Sequence, residues 1–287
     1  MPRWRGSSWS DTLDGVTLFE DVPPLVRVRL LVAYDGSGFH GFAEQPGQRT
    51  VAGVLRAAIE KVAQHPVELV CAGRTDSGVH AWGQVLSLDL SPAVDLVALQ
   101  RSLLKMCGPE VVVRECSVVD PDFHARFSAT GRTYRYTVLN RPVPDPFLAR
   151  TSWHVTVPLD MVLLELACDP FLGEHDFSAF CRRPKVAAGE KPACLVRRVR
   201  RAGWTELGDG VLRFEIEATA FCRQMVRSIV GTVVAAGHAQ MRAGDIRGVL
   251  RAGHRVAGAP MAPPEGLCLW HVSYGGGPEL RPEPGQP

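Results

Sequence analysis

The most informative stretch of the chain is residues 71–85, CAGRTDSGVHAWGQV. An apolar run, VELVCA, leads into it and a second, WGQVLSLDL, overlaps its end, which predicts two strands joined by a loop. Asp76, Ser77 and Gly78 favour a tight turn, because Asp bonds its own backbone and Gly accepts positive φ. In an extended segment Arg74 and Asp76 would point to the same face, where the cation would keep the acid ionised; the alternative is an ordinary surface ion pair.

Strand and helix patterns alternate through the N-terminal half. Its strand-like runs are alternating or β-branched, and its helix-like runs have apolar residues three and four apart. The predicted strands are residues 26–34, 67–72, 82–90 and 111–119, and the predicted helices are 51–63 and 96–106. This order, β-α-β-β-α-β, is that of the ferredoxin-like motif.

The second half repeats that order in pattern only, with negligible sequence identity between the halves. The predicted strands are residues 132–140, 195–207, 211–220 and 267–274, and the predicted helices are 159–172, 222–238 and 243–253. We therefore expect an α+β protein made of two ferredoxin-like halves, at 26–125 and 126–274, joined across a central antiparallel sheet with a basic active-site cleft at the junction. Residues 1–25 are expected to form an arm and 275–287 a flexible tail.

Composition supports a folded protein. With 287 residues, 46% hydrophobic and 22% charged, the chain can bury the core of one large or two modest domains. Its net charge of +2 is only mildly basic, so the distribution of charge is more informative than the sum. Basic residues are concentrated at 182–201, with Glu190 as the single acid. This run predicts contacts to an RNA backbone, and the alternative is a solvated face.

The eight cysteines are scattered, without a C-x-x-C pair or a histidine pair at zinc-finger spacing. We expect reduced, mostly buried thiols and no metal site. The sequence has no apolar run long enough to span a bilayer and no basic-then-apolar signal segment. A soluble cytoplasmic protein without a membrane partner is therefore expected.

Residues 72–80, AGRTDSGVH, closely resemble the signature A-G-R-T-D-[AS]-G-V-H of the TruA-type tRNA pseudouridine synthases. Five further motifs of that family follow in the same order, and together they cover about residues 26 to 274. They are YDGSGFHGF at 34–42, DFHARFSA at 122–129, RTYRY at 132–136, MVRSIVG at 225–231 and EGLCL at 265–269. The resemblance implies a homodimeric, cofactor-independent isomerase that converts uridine to pseudouridine in the anticodon stem-loop of tRNA, at positions 38–40.

The resemblance assigns the catalytic set to Asp76, Tyr134 and Arg227. Asp76 would be the essential acid, and the residues leave open whether it attacks C1′ of the ribose or removes the 2′ proton. Tyr134 would stack on the target uracil. Arg227, on a partly apolar helix face, would be the counter-charge of Asp76, with a solvent-directed arginine as the alternative.

Substrate-binding roles follow for further residues. Arg74 would help to hold the flipped nucleotide, and charge support for Asp76 is a compatible role. Leu267 matches an apolar pocket wall, although an ordinary core leucine fits nearly as well. For His80, and for His124 with Arg126, a structural hydrogen bond is at least as good an account as RNA binding. Two residues of the basic run, Arg197 and Arg198, are expected to contact the RNA backbone.

Two departures concern RNA contacts and not the catalytic set. The family often has G-W-Q where this chain has GFAE at residues 41–44, and Ala52 replaces a common glutamine. They bear on substrate range. Two other functions are compatible with the residues: a non-catalytic RNA-binding module on the same fold, and a metal-dependent hydrolase that uses the histidines and cysteines.

Overall fold

The computed structural model describes residues 24–182, 194–253 and 261–275. Most of the predicted arm at 1–25 and tail at 275–287, and part of the basic run at 182–201, lie outside the described residues. Those predictions stay predictions.

The first half forms the six elements that the pattern predicts, with a shorter second strand. They are β1 (Val26–Tyr34), α1 (Val51–Ala63), β2 (Val70–Cys71), β3 (His80–Leu90), α2 (Leu96–Cys107) and β4 (Val111–Val118). Side chains fix where both helices begin, since Thr50 accepts a hydrogen bond from the Gly53 amide and Asp95 accepts from the amides of Val97 and Ala98. Both helices lie within one residue of the predicted bounds.

The second half contains more elements than predicted. They are β5 (Ala129–Asn140), β6 (Trp153–Val155), α3 (Met161–Leu166), β7 (Gly173–Asp176), β8 (Val196–Gly208), β9 (Val211–Ala218), α4 (Met225–Gly237), α5 (Ala243–Ala252) and β10 (Leu267–Tyr274). The helix predicted at 159–172 ends early, because Pro170 cannot donate to the helical ladder and lies in a separate 3₁₀ turn. Helix α4 begins three residues late because Gln224 takes a left-handed φ of 65°.

One ten-stranded, mostly antiparallel sheet carries both halves. Its order is β4-β1-β3-β10-β5-β9-β8-β7, with β2 on β3 and β6 on β5. The halves meet where β3 and β10 pair in parallel, at His80 with Cys268 and Ala81 with Leu269. Both halves therefore contribute strands to the middle of the sheet, which confirms the prediction of an α+β fold with a large central sheet.

The two faces of the sheet differ. Tyr136 and Phe214 are fully buried and belong to the same hydrophobic core as helix residues such as Ile229. Alternate positions of β5 and β9 carry Arg135 and Glu215 instead, which form an ion pair of 2.7 Å. No helix among the residues that the structure describes is long and apolar enough to cross a membrane.

A disulfide joins Cys181 to Cys222, whose Cα atoms lie 5.8 Å apart. The expectation of reduced cysteines is therefore wrong for this pair. The two residues are distant in sequence, and they meet because residues 181–182 pack on the turn before α4, where the Arg182 amide donates to the Arg223 carbonyl over 3.0 Å. Spacing along the chain does not reveal such a pair.

Candidate active site

The loop at residues 73–78 is held in place by buried side chains of strands β1 and β3. Gln84 donates its amide hydrogen to the Gly73 carbonyl over 2.7 Å. The Tyr34 hydroxyl lies 2.8 Å from Thr75 Oγ1, and both residues are buried. Side chains of the central strands β1 and β3 therefore determine the position of Asp76.

The glycine-rich turn after β1 supports the same loop through its backbone. A Cβ atom on Gly36 would lie 2.1 Å from the Val79 carbonyl oxygen, and one on Gly41 would lie 3.0 Å from that of Thr75. Gly41 also has a φ of +93°, which side chains rarely adopt. The Phe42 amide donates to the Thr75 carbonyl over 3.1 Å. The motif at residues 34–42 is thus a backbone cradle for the loop.

Asp76 lies at the tip of this loop with its carboxylate partly accessible. Its side chain is 26% exposed, and Oδ1 lies 3.5 Å from Arg223 Nε. The Val79 amide donates to the Asp76 carbonyl over 3.2 Å, which closes the turn. A carboxylate in this position is open to a ligand on one side and faces a cation on the other.

Among the described residues, no ion pair joins Arg74 to Asp76. The Arg74 side chain is exposed, and within the described ranges the ion pair of Asp76 is formed with Arg223. Strand β2 ends at Cys71, residues 72–73 bend, and the turn itself lies at residues 77–78. Charge support of Asp76 by Arg74 and the role of Arg74 toward RNA both stay predictions.

Arg227 lies near Asp76 from the side of helix α4. Burial lowers the pKa of its guanidinium, and the negative charge of Asp76 is the largest effect opposing that shift. Its Nε donates to the Ala262 carbonyl over 2.7 Å, so Arg227 is held in place by the backbone. The residue that pairs directly with the Asp76 carboxylate is Arg223, which lies four residues before Arg227 and ahead of the first residue of α4. The only sequence signal for Arg223 was its spacing of four residues from Arg227.

Tyr134 is placed beside the loop by strand β5. It is 8% exposed, and a Cβ atom on Gly73 would lie 3.9 Å from its hydroxyl oxygen. Burial raises the pKa of Tyr134, and the charge of Asp76 adds to the shift. The ring of Phe221 meets it edge-on at 5.1 Å between centroids. The three residues of the predicted catalytic set, Asp76, Tyr134 and Arg227, are thus brought to one region.

Leu267 and His80 lie close to this region but are mostly enclosed. Leu267 is 6% exposed and opens β10 opposite Tyr136. His80 Nδ1 accepts from the Gly36 amide over 3.1 Å, and Nε2 lies 2.9 Å from the Arg150 carbonyl. The imidazole thus links separate segments through hydrogen bonds, which fits the structural alternative for His80.

The motif at residues 122–129 forms an exposed corner beside β2. His124 Nδ1 accepts the backbone amides of Arg126 and Phe127, each over 3.2 Å. Arg132 connects the corner to the loop, because its guanidinium donates to the carbonyls of Ala72 over 3.0 Å and Arg126 over 2.8 Å. The side chain of Arg126 itself is exposed. The Arg126 side chain is therefore available to a ligand, whereas the His124 side chain stabilises the turn through its hydrogen bonds.

The described part of the basic run is less positive than its sequence suggests. Arg200 pairs with Glu217 over 3.2 Å, and Arg201 pairs with Glu215. The Arg197 guanidinium donates to the Cys194 carbonyl over 3.0 Å, while Arg198 is exposed. The acids stand on the neighbouring strand β9, so a count along one segment could not include them.

These groups can perform acid–base or nucleophilic chemistry at a carboxylate flanked by arginines and an aromatic ring. Among residues 24–182, 194–253 and 261–275, no group of three or more His, Cys, Asp and Glu side chains is arranged to hold a metal ion.

Comparison with known proteins identifies the family. The chain matches the family model described as tRNA pseudouridine synthase over residues 30–128 and 167–275. It is 41% identical over 260 residues to the tRNA pseudouridine synthase A of Frankia casuarinae, covering 89% of this chain and 92% of that protein. It is 37% identical over 248 residues to that of Brevibacillus brevis, covering 86% of this chain and 99% of the relative. The chain belongs to the tRNA pseudouridine synthase family.

Proposed function

We propose that this chain isomerises uridine to pseudouridine in tRNA at the cleft around Asp76, and that its targets are uridines of the anticodon arm at positions 38–40. The observation that carries the proposal is the convergence of Asp76, Tyr134 and Arg227 in one region. Asp76 and Arg227 lie within the segments that the family model matches. Asp76 comes from the first half of the chain and the other two from the second. The site therefore needs both halves.

The reaction breaks the bond between ribose C1′ and N1, rotates the uracil and forms a bond between C1′ and C5. N1 gains a proton and C5 loses one, so no oxidant or external energy source is needed. Asp76 either attacks C1′ or removes the 2′ proton, and Tyr134 stacks on the base while it is detached. Arg227 stabilises the carboxylate. The apolar side chains around the loop limit access of water to the cleaved intermediate.

RNA binding is proposed for Arg74, Arg126 and Arg198, whose side chains are exposed, with Leu267 as an apolar wall. Arg197 and His80 are better accounted for by their backbone hydrogen bonds. The enzyme is proposed to work in the cytoplasm, where tRNA is modified.

We propose that both halves are ferredoxin-like units, at residues 26–125 and 126–274. Each half has four strands of the motif, and in both halves their spatial order across the sheet is fourth, first, third, second. These orders are β4-β1-β3-β2 and β10-β5-β9-β8. Such an order is produced when two β-α-β units interleave in an antiparallel sheet.

We also propose that the enzyme is a homodimer, as the resemblance implies. The sheet face that carries Arg135 also carries Trp82 and Trp270, which stack at 5.9 Å between centroids. Aromatic and arginine side chains of this kind are enriched in interfaces. Light scattering should give twice the 31.3 kDa mass of the chain, and Trp270→Asp should lower it. The exposed Phe147 provides a control through Phe147→Ser; a monomeric wild type would reject the dimer.

The reaction is tested by tritium release from tRNA labelled at uridine C5, with Asp76→Asn beside the wild type. C5 loses its hydrogen only when it becomes the glycosidic carbon. Release by the wild type and none by the variant, with RNA affinity within about threefold of wild type, supports the proposal. Equal loss of turnover and affinity would favour the RNA-binding module. Loss of turnover upon metal chelation would favour the hydrolase.

A further inference from the structure

Arg223 is a cation at the Asp76 carboxylate that the sequence motifs do not assign. Its side chain is 60% exposed, and the 3.5 Å separation from Asp76 Oδ1 is long for an ion pair. Exposed pairs contribute little to stability, and arginine forms stronger, bidentate hydrogen bonds with phosphate. A phosphate that approaches this site can therefore displace the carboxylate.

The main chain around Arg223 is held by hydrogen bonds, whereas its side chain is largely exposed. The Arg182 amide donates to the Arg223 carbonyl over 3.0 Å, and the Met225 amide donates to the Cys222 carbonyl over 3.1 Å. Gln224 adopts a left-handed φ of 65° immediately before helix α4. The Cα atom thus stays near Asp76, and the long exposed side chain can exchange one anion for another.

The chemistry brings a phosphate to this place. For reaction, the ribose must come within about 3–3.5 Å of an Asp76 oxygen. C1′ is only a few bonds from the phosphates of its own nucleotide, so one of them comes within reach of a guanidinium that touches Asp76. Arg227 is half-buried and already donates to the Ala262 carbonyl. Arg223 is the exposed cation of the two.

We propose that Arg223 binds a phosphate of the target nucleotide and that its ion pair with Asp76 is the resting arrangement of the RNA-free enzyme. When RNA arrives, the guanidinium transfers to the phosphate and the carboxylate is freed for the ribose. This proposal rests on the proposed role of Asp76 as the reacting acid.

Binding of an unmodified tRNA transcript over a series of salt concentrations tests the exchange, since a phosphate contact has a signature in salt dependence. Asp76→Asn should tighten binding by about two- to threefold because the competing carboxylate is gone. The gain should vanish in Asp76→Asn with Arg223→Gln. Arg223→Gln should lower the slope of log K against log salt by about 1, and Arg223→Lys should restore it. Arg247→Gln, which removes an exposed arginine of α5, is the matched control and should not change the slope.

Measurement of kcat and KM distinguishes phosphate binding by Arg223 from a role in which Arg223 only orients Asp76. With Asp76 intact, Arg223→Gln should raise KM about tenfold and leave kcat within about threefold of wild type. A collapse of kcat with unchanged affinity and slope would mean that Arg223 only orients Asp76, and wild-type affinity and slope would equally overturn the proposal. The catalytic role of Asp76 is tested separately, by tritium release with the single variant Asp76→Asn. Failure of that proposal can therefore be distinguished from failure of the phosphate contact of Arg223.

Discussion

Gln84 donates its side-chain amide hydrogen to the Gly73 carbonyl over 2.7 Å, which ties a fully buried residue of β3 to the first residue of the Asp76 loop. Gln84→Met removes this donor and leaves the carbonyl without it, which should cost about 1–3 kcal/mol of unfolding free energy. Turnover should fall more than tenfold, since a displacement of about 1 Å at a reacting group can cost about 100-fold.

Gln100→Met is the control for this change. Gln100 donates to the carbonyls of Val113 and Arg114, at 3.0 and 2.9 Å, on a strand that does not carry the loop. Urea unfolding should show a comparable loss of stability, while tritium release stays near wild type. If both variants lose turnover equally, the Gln84 contact has no special relation to the loop.

Gly36 is predicted to be irreplaceable because a Cβ atom there would lie 2.1 Å from the backbone oxygen of Val79. Gly36→Ala should lower the unfolding free energy by about 1–3 kcal/mol and reduce turnover, since backbone must shift to make room. Gly248 in α5 is the opposite case, with nothing within 4 Å of its added Cβ. Gly248→Ala should stabilise the protein by about 0.5–1 kcal/mol, measured as a rise in Tm. Equal Tm values for both variants would contradict the packing argument.

Helices and strands with a sustained periodicity of apolar residues could be predicted almost to the residue. Helix α1 spans Val51–Ala63 and strand β1 spans Val26–Tyr34, as their patterns indicate. Short elements could not, because β6 and β7 contain three and four residues and are defined only by their pairing. Pairing depends on neighbours that are remote in sequence.

The same distinction applies to the site. Asp76 could be found because its loop is one continuous motif. The contact from Arg223 depends on how the turn before α4 packs against that loop, and the neutralisation of Arg201 by Glu215 depends on the register of β8 with β9. Neither is visible along a single segment.

Buried thiols should resist alkylation at pH 8 while the exposed Cys194 reacts. Burial raises the pKa of Cys168 from 9.0 to about 12 and that of the half-buried Cys116 to about 11. Iodoacetamide followed by mass spectrometry should label Cys194 first, and all three after unfolding. Because these pKa values are raised in the folded state, their contribution to stability is present below pH 9 and is lost as pH rises toward 11–12. Early labelling of Cys168 in the folded protein would contradict its burial.

Arg198 should contribute more to RNA affinity than Arg200, although the two lie on one strand. Arg198 is exposed, while Arg200 already pairs with Glu217 over 3.2 Å. Arg198→Ala should weaken tRNA binding and reduce the salt slope by about 1, and Arg200→Ala should change the slope less. Filter binding at several salt concentrations measures both. If Arg197, Arg198, Arg200 and Arg201 can all be replaced by alanine without a change of slope, this strand is outside the RNA interface.

Tyr134 is predicted to act on the RNA through the face of its ring. Tyr134→Phe keeps that face and should bind tRNA within about threefold of wild type, whereas Tyr134→Ala loses a stacking interaction of about 1–3 kcal/mol and should bind at least about fivefold more weakly. Binding is measured in the Asp76→Asn background so that turnover does not change the RNA. Tritium release by Tyr134→Phe then reports on the hydroxyl, which lies beside Gly73 with its pKa raised by burial. Loss of release with intact affinity would show that the hydroxyl contributes to turnover and that stacking is not the only function of Tyr134.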